Sequence, residues 1–358
     1  MKGLILCGGK GTRLRPMTYS RPKHLLPVMN KPVLYYGIEK MIAAGITDIA
    51  VVVPPHYRSA FDEALLGGAP WNIHISLVEQ PEPRGLADAV RAAERYIGRS
   101  NFLLYLGDNV IDGSLEPLVR KFQDEYLDGL ISVSQVEHPE QFGVVKLDGD
   151  RILQVVEKPK YPPSRLAING VYLFKPYIFE AIAKIRPSAR GEYELTDAIQ
   201  QMIDDRCKVG VFRSQYWWKD TGQPKDILLC NQHFLRQMDH TRIEGDVDAG
   251  STITGDVVIG ENTKIVNSVI RGPVIIGNDA VIENAYVGPY CSIADHVSVV
   301  GCEIENSIVM DHTRLDGVPH RISDSMIGGE VNMAGIADQP RTAKLWIGDH
   351  SRIHFPEG

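Results

Sequence analysis

The chain has 358 residues, of which 44% are apolar and 23% charged, and its formal charge is -7 at neutral pH. That length exceeds one ordinary core and fits two domains, in the composition of a soluble globular protein. An acidic total with its cations gathered locally argues against nucleic acid as a partner and for a small anionic ligand held in a specific pocket.

The first predicted element is an apolar strand over 2–7, running into Gly8, Gly9 and Gly11 and followed by Arg13, Arg15, Arg21 and Lys23. Glycines leave backbone N–H groups uncovered, so a polyphosphate can approach the main chain, and the cations supply counter-charge. Lys10 is followed by Gly11, where a Walker A loop needs Ser or Thr after its lysine, and Leu14 occupies a position where a dinucleotide fingerprint needs Gly. A plain surface turn with solvated cations is the competing reading.

Further strands are predicted over 48–53, 73–79 and 102–107, with amphipathic helices near 33–44, 57–66 and 85–97 between them. This alternation predicts a parallel sheet with helices on both faces. Ligands on such sheets sit beyond the carboxyl ends of the strands, where Gly8, Gln80 and Asp108 fall. Asp108, after Leu106-Gly107, and Asp220, in Trp217-Trp218-Lys219-Asp220, offer two carboxylates beside a polyphosphate loop. Mg²⁺ typically takes one or two protein carboxylates and fills its shell with phosphates and water. Each acid taken singly could equally cap a following helix.

A fourth site is Gln154-Val155-Val156-Glu157-Lys158-Pro159, with Gly143 upstream and Asn169-Gly170 downstream. Glu157 and Lys158 would point oppositely in a strand that Pro159 ends. A carboxylate accepting from hydroxyls beside an ammonium meeting a phosphate suits a sugar phosphate; an edge strand with charged ends is the alternative. No Ser-His-Asp or Cys-His constellation is evident. None is needed if the nucleophile is a phosphate monoester, whose second pKa of about 6 leaves it ionised at neutral pH.

Near residue 243 the pattern changes. Apolar residues recur every six positions at Ile253, Ile259 and Ile265, again at Ile276 and Ile282, and after a five-residue step at Val287, Ile293 and Val299. Such hexapeptide repetition predicts a parallel β-helix whose flat faces suit self-association into a homo-oligomer. A helix over 224–238 is expected to join the two domains. Five cysteines without a CxxC pair read as free thiols in a reducing compartment. With a core strand starting at Lys2 and no apolar run long enough for a bilayer, the expected location is the cytoplasm.

Taken in order, LCGGKGTRLRPMT with RPKHLLPV, EQPEPRGLADAV, YLGDN, FGVV, VVEKP and WWKDTG resemble the sugar-1-phosphate nucleotidylyltransferases. With PSARGEYELTDAIQ and the tail bearing ENSIVM and IGDHSRI, the likeness is to the long-form glucose-1-phosphate thymidylyltransferase branch. The resemblance implies a mixed, mainly parallel Rossmann-like α/β sheet over 1–240 and a left-handed parallel β-helix over 241–358. It implies Mg²⁺-dependent transfer from dTTP to glucose 1-phosphate, giving dTDP-glucose and pyrophosphate. By the same resemblance Leu6, Gly8, Gly9, Gly11, Thr12 and Arg13 hold the nucleotide, with Arg13 on the departing pyrophosphate and Lys23 bridging the reacting phosphates. Gln80 and Gly85 read the base, and Asp108 and Asp220 hold the metal. Asn109, Gly143, Glu157 and Asn169 serve the sugar, Lys158 its phosphate, and Trp218 the pocket wall.

Three residues depart from the family pattern: Phe142 where many relatives have tyrosine, the polar Asn169, and Arg84 near the base. The run from Asp220 to Asp226 also resembles mannose-1-phosphate guanylyltransferases, so a GDP-mannose or UDP-sugar product is the alternative. An acetyltransferase reading of the β-helix would use His296, His312, His320 or His350 as base.

Overall fold

The computed structural model of the chain describes residues 1–66 and 70–335. Contacts divide the chain into two units. The first comprises Met1–Lys10, Arg21–Leu25 and Val33–Asp220; the second comprises Gly11–Ser20, Leu26–Pro32 and the chain from Thr221 onward.

In the first unit, strand β1 (Lys2–Leu6) lies between β2 (Asp48–Val53) and β4 (Phe102–Leu106), parallel to both, with β3 (His74–Glu79) outside β2. The central strands β1, β2 and β4 are almost wholly apolar because each is covered on both faces, whereas the edge strand β3 is only half-buried. Leu4, Leu6, Val52 and Leu104 enter one core, while Ile5, Cys7, Val51 and Tyr105 enter the other. Helices α1 (Val33–Ala43), α2 (Arg58–Leu66) and α3 (Leu86–Ala92) fall where the periodicity predicts them. The expected single helix over 85–97 is instead two, because Ala93, with ψ of 1°, leaves the helical region before Glu94–Ile97.

The second half of this unit turns the sheet mixed. Strand β5 (Asn109–Asp112) leaves the main sheet, β6 (Gly129–Gln135) returns to it, and β7 (Gly143–Asp148) with β8 (Arg151–Glu157) form an antiparallel hairpin. Strand β9 (Leu166–Phe174) pairs antiparallel with both β4 and β6, and β10 (Val209–Arg213) runs parallel to β6, completing nine strands. Strand β11 (Trp217–Asp220) pairs with β5 alone, opposing Asp220 to Asn109. That ribbon brings two distant acidic segments to one place.

From Arg242 to Ala334 the second unit is built from short parallel strands in three sheets. Successive coils repeat seventeen residues apart, as in the bonds from Glu261 N to Asn278 Oδ1 and from Ala280 N to Thr263 Oγ1. Two six-residue steps and one five-residue step make that stride, and Ile259, Ile265, Ile276, Ile282, Val287, Ile293 and Val299 are all buried inside it. This is the architecture of a left-handed parallel β-helix. At one corner Asn262, Asp279, His296, His312 and Glu330 all adopt positive φ near 55°, and the rings of His296 and His312 stack 4.7 Å apart.

Helix α4 (Pro224–Leu235) belongs to this second unit. Its fully buried Asn231 accepts from Met29 N at 2.9 Å and Ser292 Oγ at 2.7 Å, and donates to the Tyr290 carbonyl at 3.1 Å. Asn30 Nδ2 donates to the Ile293 carbonyl at 2.6 Å. One amide therefore ties an N-terminal segment, a helix and a β-helix coil together.

Candidate active site

The glycine loop leaves β1 with Leu6 buried at its end. A Cβ at Gly8 would approach Gln80 Oε1 to 2.7 Å, and a Cβ at Gly9 would come within 3.0 Å of Lys23 Nζ. The loop is thus bare because the side chains of Gln80 and Lys23 already press against it. Lys23, three residues into a turn that returns to the first unit, hydrogen-bonds the carboxylate of Asp108 just past β4. Burial alone would lower the Lys23 pKa, but the charges of Asp108 and Asp220 and the bond to Asp108 raise it. Burial pushes the Asp108 carboxyl up, and Lys23 more than reverses that, keeping the acid ionised.

The charges of Asp108 and Asp220 both act on this one ammonium. Among the described residues no group of three or more metal-ligating side chains occurs. Two oxygen-donor carboxylates on facing strand ends are the donor set a hard divalent cation such as Mg²⁺ takes from protein. The residues fit such an ion.

Gln80, immediately after β3, is buried and donates to the Gly85 carbonyl at 3.3 Å and to Asp88 Oδ2 at 3.0 Å. Gly85 precedes α3 with φ of 109°, and a Cβ there would meet the Tyr193 carbonyl oxygen at 2.5 Å. Only glycine fits both the dihedral and the space. Tyr193 clasps the segment further, with its N–H donating to the Arg84 carbonyl and its carbonyl accepting from Ala87 N.

Gly143 opposes Glu157 across the β7–β8 hairpin. A Cβ at Gly143 would meet Thr196 Cγ2 at 2.8 Å and Glu157 Oε2 at 3.2 Å. Thr196 Oγ1 donates to Glu157 Oε2 at 3.3 Å, and Arg190 and Lys158 lie 3.6 and 3.9 Å from its other oxygen. Burial raises the Glu157 pKa against the lowering by Lys158 and Arg190. The expectation that Glu157 and Lys158 point oppositely is corrected. The strand ends at Glu157, and Lys158 takes φ of 38°, which turns its ammonium back toward the carboxylate.

Trp218 joins this group by donating Nε1–H to Asn109 Oδ1 at 2.8 Å and packing edge-on to Phe142, with ring centroids 5.2 Å apart. Asn169 is fully buried on β9, its Nδ2 donating to Ser134 Oγ at 3.0 Å while its Oδ1 has no hydrogen-bond partner. A buried orphaned acceptor costs about 1–3 kcal/mol, which marks Asn169 as more than filling. Gly11, Thr12 and Arg13 belong to the second unit, where Gly11 has φ of 61° and Arg13 is exposed on the 3-10 turn Thr12–Leu14.

Residues 2–237 match the Nucleotidyl transferase family. The chain belongs to the nucleotidyl transferase family. It is similar to the glucose-1-phosphate thymidylyltransferase of Streptomyces antibioticus, at 42% identity over 357 residues that cover 99% of each chain. It is 36% identical to the Bifunctional protein GlmU of Methanocaldococcus jannaschii over 336 residues, which are 93% of this chain and 78% of that one. A Bacillus anthracis structure described as a glucose-1-phosphate thymidylyltransferase, in complex with sucrose, has a TM-score of 0.62 and 31% identity. It covers 68% of this chain and 98% of its own. Nucleotidyl transferases of this kind generally use a divalent metal.

The geometry of this nucleotidyl transferase also adds residues that sequence reasoning missed. Asp88 behind Gln80, Tyr193 against Gly85, and Arg190, Glu194 and Thr196 around Glu157 were individually unassigned. The run PSARGEYELTDAIQ holds four of these five and was the signal available; Asp88 lies in the run EQPEPRGLADAV, eight residues after Gln80.

Proposed function

We propose that the protein transfers the thymidylyl group of dTTP to glucose 1-phosphate, giving dTDP-glucose and pyrophosphate. The observation that carries this reading is Lys23, which lies against the bare glycine loop and bonds Asp108 while feeling the charge of Asp220. A cation so held can neutralise both a triphosphate and an approaching phosphate monoester.

An ionised oxygen of glucose 1-phosphate attacks the α-phosphorus of dTTP. The new P–O bond forms as the bond to the β-phosphate breaks, and pyrophosphate leaves with the electron pair. The nucleophile is already deprotonated near neutral pH, so no side chain takes a proton. The tasks left to the protein are binding, orientation and charge stabilisation. Leu6, Gly8, Gly9, Gly11 and Thr12 serve the triphosphate, and Arg13 the pyrophosphate that departs. Lys158 meets the sugar phosphate, while Glu157, Asn109, Asn169, Gly143 and Trp218 define the sugar pocket. Asp108 and Asp220 would hold Mg²⁺, which would supply further neutralisation of the phosphates.

The five cysteines are free thiols, which suits a reducing compartment such as the cytoplasm. Among the described residues no helix is long and apolar enough to cross a membrane. His296 and His312, weighed above as acetyl-transfer bases, are corner residues of the β-helix stacked on each other; His350 and the IGDHSRI segment lie outside the described residues.

The test is pyrophosphate release across a matrix of nucleoside triphosphates and sugar 1-phosphates with Mg²⁺. Turnover should be highest with dTTP and glucose 1-phosphate. A preference for GTP and mannose 1-phosphate would replace this reading with the guanylyl one, and no turnover with any pair would end both.

A further inference from the structure

Asp88 sits in the first turn of α3, yet its carboxylate does not cap that helix. It is 6% exposed and faces three other side chains. Its Oδ2 accepts from Gln80 Nε2 at 3.0 Å, and its Oδ1 accepts from Arg84 at 3.1 Å and Arg91 at 2.5 Å. Guanidinium groups only donate, so the two arginines demand an acceptor oxygen between them, and their positive charge favours an ionised one. Burial pushes the Asp88 carboxyl up, but the hydrogen bonds from Gln80, Arg84 and Arg91 outweigh it and hold the group below the usual carboxylate range.

The consequence falls on Gln80. Its Nε2 faces two pure acceptors, the Asp88 carboxylate and the Gly85 carbonyl at 3.3 Å. An amide turned over would aim its oxygen at both, losing two bonds and adding lone-pair repulsion in a buried place. The side chain is therefore locked with Oε1 toward Gly8, where a Cβ would lie 2.7 Å away. Among the described residues Oε1 accepts no hydrogen bond from protein.

We propose that Asp88 is a positioning residue for base selectivity: by holding Nε2 of Gln80 it leaves that amide an acceptor only. An acceptor there takes the ring N–H of thymine, uracil or guanine. It repels cytosine and adenine, whose corresponding ring nitrogen carries a lone pair. This rests on the reading that Gln80 faces the base. Arg84, a departure from the family pattern, then acts on the base indirectly, through Asp88.

The experiment compares kcat/KM for dTTP and dCTP, each with glucose 1-phosphate and Mg²⁺, in the full chain and in Asp88→Asn, Asp88→Glu and Gln80→Leu. In Asp88→Asn the arginines hold the carbonyl oxygen, so the new NH₂ faces Gln80 and favours the turned amide. The dTTP-to-dCTP ratio should fall at least tenfold, chiefly through KM, and Asp88→Glu should recover much of it. Should Asp88→Asn not fold, Asp88→Ser removes the same carboxylate and carries the same expectation. An unchanged ratio at position 88 with a collapsed ratio in Gln80→Leu overturns the proposal and leaves Gln80 reading the base. Unchanged ratios in both overturn the base reading as well. Equal loss toward both nucleotides in Asp88→Asn makes Asp88 merely structural, and the proposal fails.

Discussion

Lys23 Nζ hydrogen-bonds Asp108 Oδ2 across 85 residues of chain, joining the glycine loop of β1 to the end of β4. Because both side chains are largely buried, each sets the charge state of the other, and the pair is already ionised and aligned at the strand ends. Replacing one partner is therefore different from replacing the other. Lys23→Met leaves a buried carboxylate without its lysine and should cost about 3 kcal/mol in denaturant unfolding as well as most activity. Asp108→Asn keeps shape and neutralises the acid, so stability should change less while turnover falls by at least two orders of magnitude. Near-normal pyrophosphate release from Asp108→Asn would remove this acid from the reaction.

Gly85→Ala should be disproportionately damaging for one methyl group. The backbone has φ of 109°, and the added Cβ would lie 2.5 Å from the Tyr193 carbonyl oxygen, which is main chain and cannot rotate away. The expected loss is about 2–4 kcal/mol of stability with at least a tenfold rise in KM for dTTP. Steady-state kinetics and a urea melt of the same preparation check both; a variant that matches the parent in both would mean the α3 entry is free to move.

The pH dependence of stability should carry the signature of His24. This ring is fully buried, its Nδ1 has no hydrogen-bond partner, and burial followed by the charge of Lys23 lowers its pKa from 6.5 to about 3. The folded state thus holds His24 neutral where the unfolded chain would protonate it. Its contribution is complete above pH 6.5 and is lost progressively as pH falls toward 3, by as much as about 4 kcal/mol. Unfolding free energies of the parent and His24→Leu, measured between pH 7 and 4, should differ in slope by up to one proton, with the parent steeper. Identical slopes would show that His24 does not titrate on unfolding.

Asn231→Leu tests how the second unit holds its N-terminal segments. The buried amide bonds Met29 N, Ser292 Oγ and the Tyr290 carbonyl, so leucine strands three polar groups at a cost of about 3 kcal/mol. Hydrogen exchange at the Met29 amide should accelerate by at least tenfold. Unaltered exchange there would show that the segment is held by something other than this asparagine.

Much of the architecture was legible because it is written in local periodicity. Continuous apolar runs placed the central parallel strands, and the six-six-five beat from Ile253 to Val299 placed the coils residue by residue. Legibility ended where a residue's meaning depends on a distant partner. The break at Ala93 and the left-handed turn at Lys158 leave no mark in spacing, and Arg190 and Thr196 acquire a role only once Glu157 arrives beside them.

By itself, then, the sequence determined a glycine loop armed with cations, two strand-end acids and a hexapeptide tail, since spacing and residue type are properties of neighbouring positions. Only the tertiary structure decided which groups meet: Lys23 with Asp108, Gly85 under Tyr193, and Gln80 locked by Asp88. Those pairings follow from the order of strands in the sheet, which brings remote loops to one edge, and buried hydrogen bonds then choose a single orientation for each side chain.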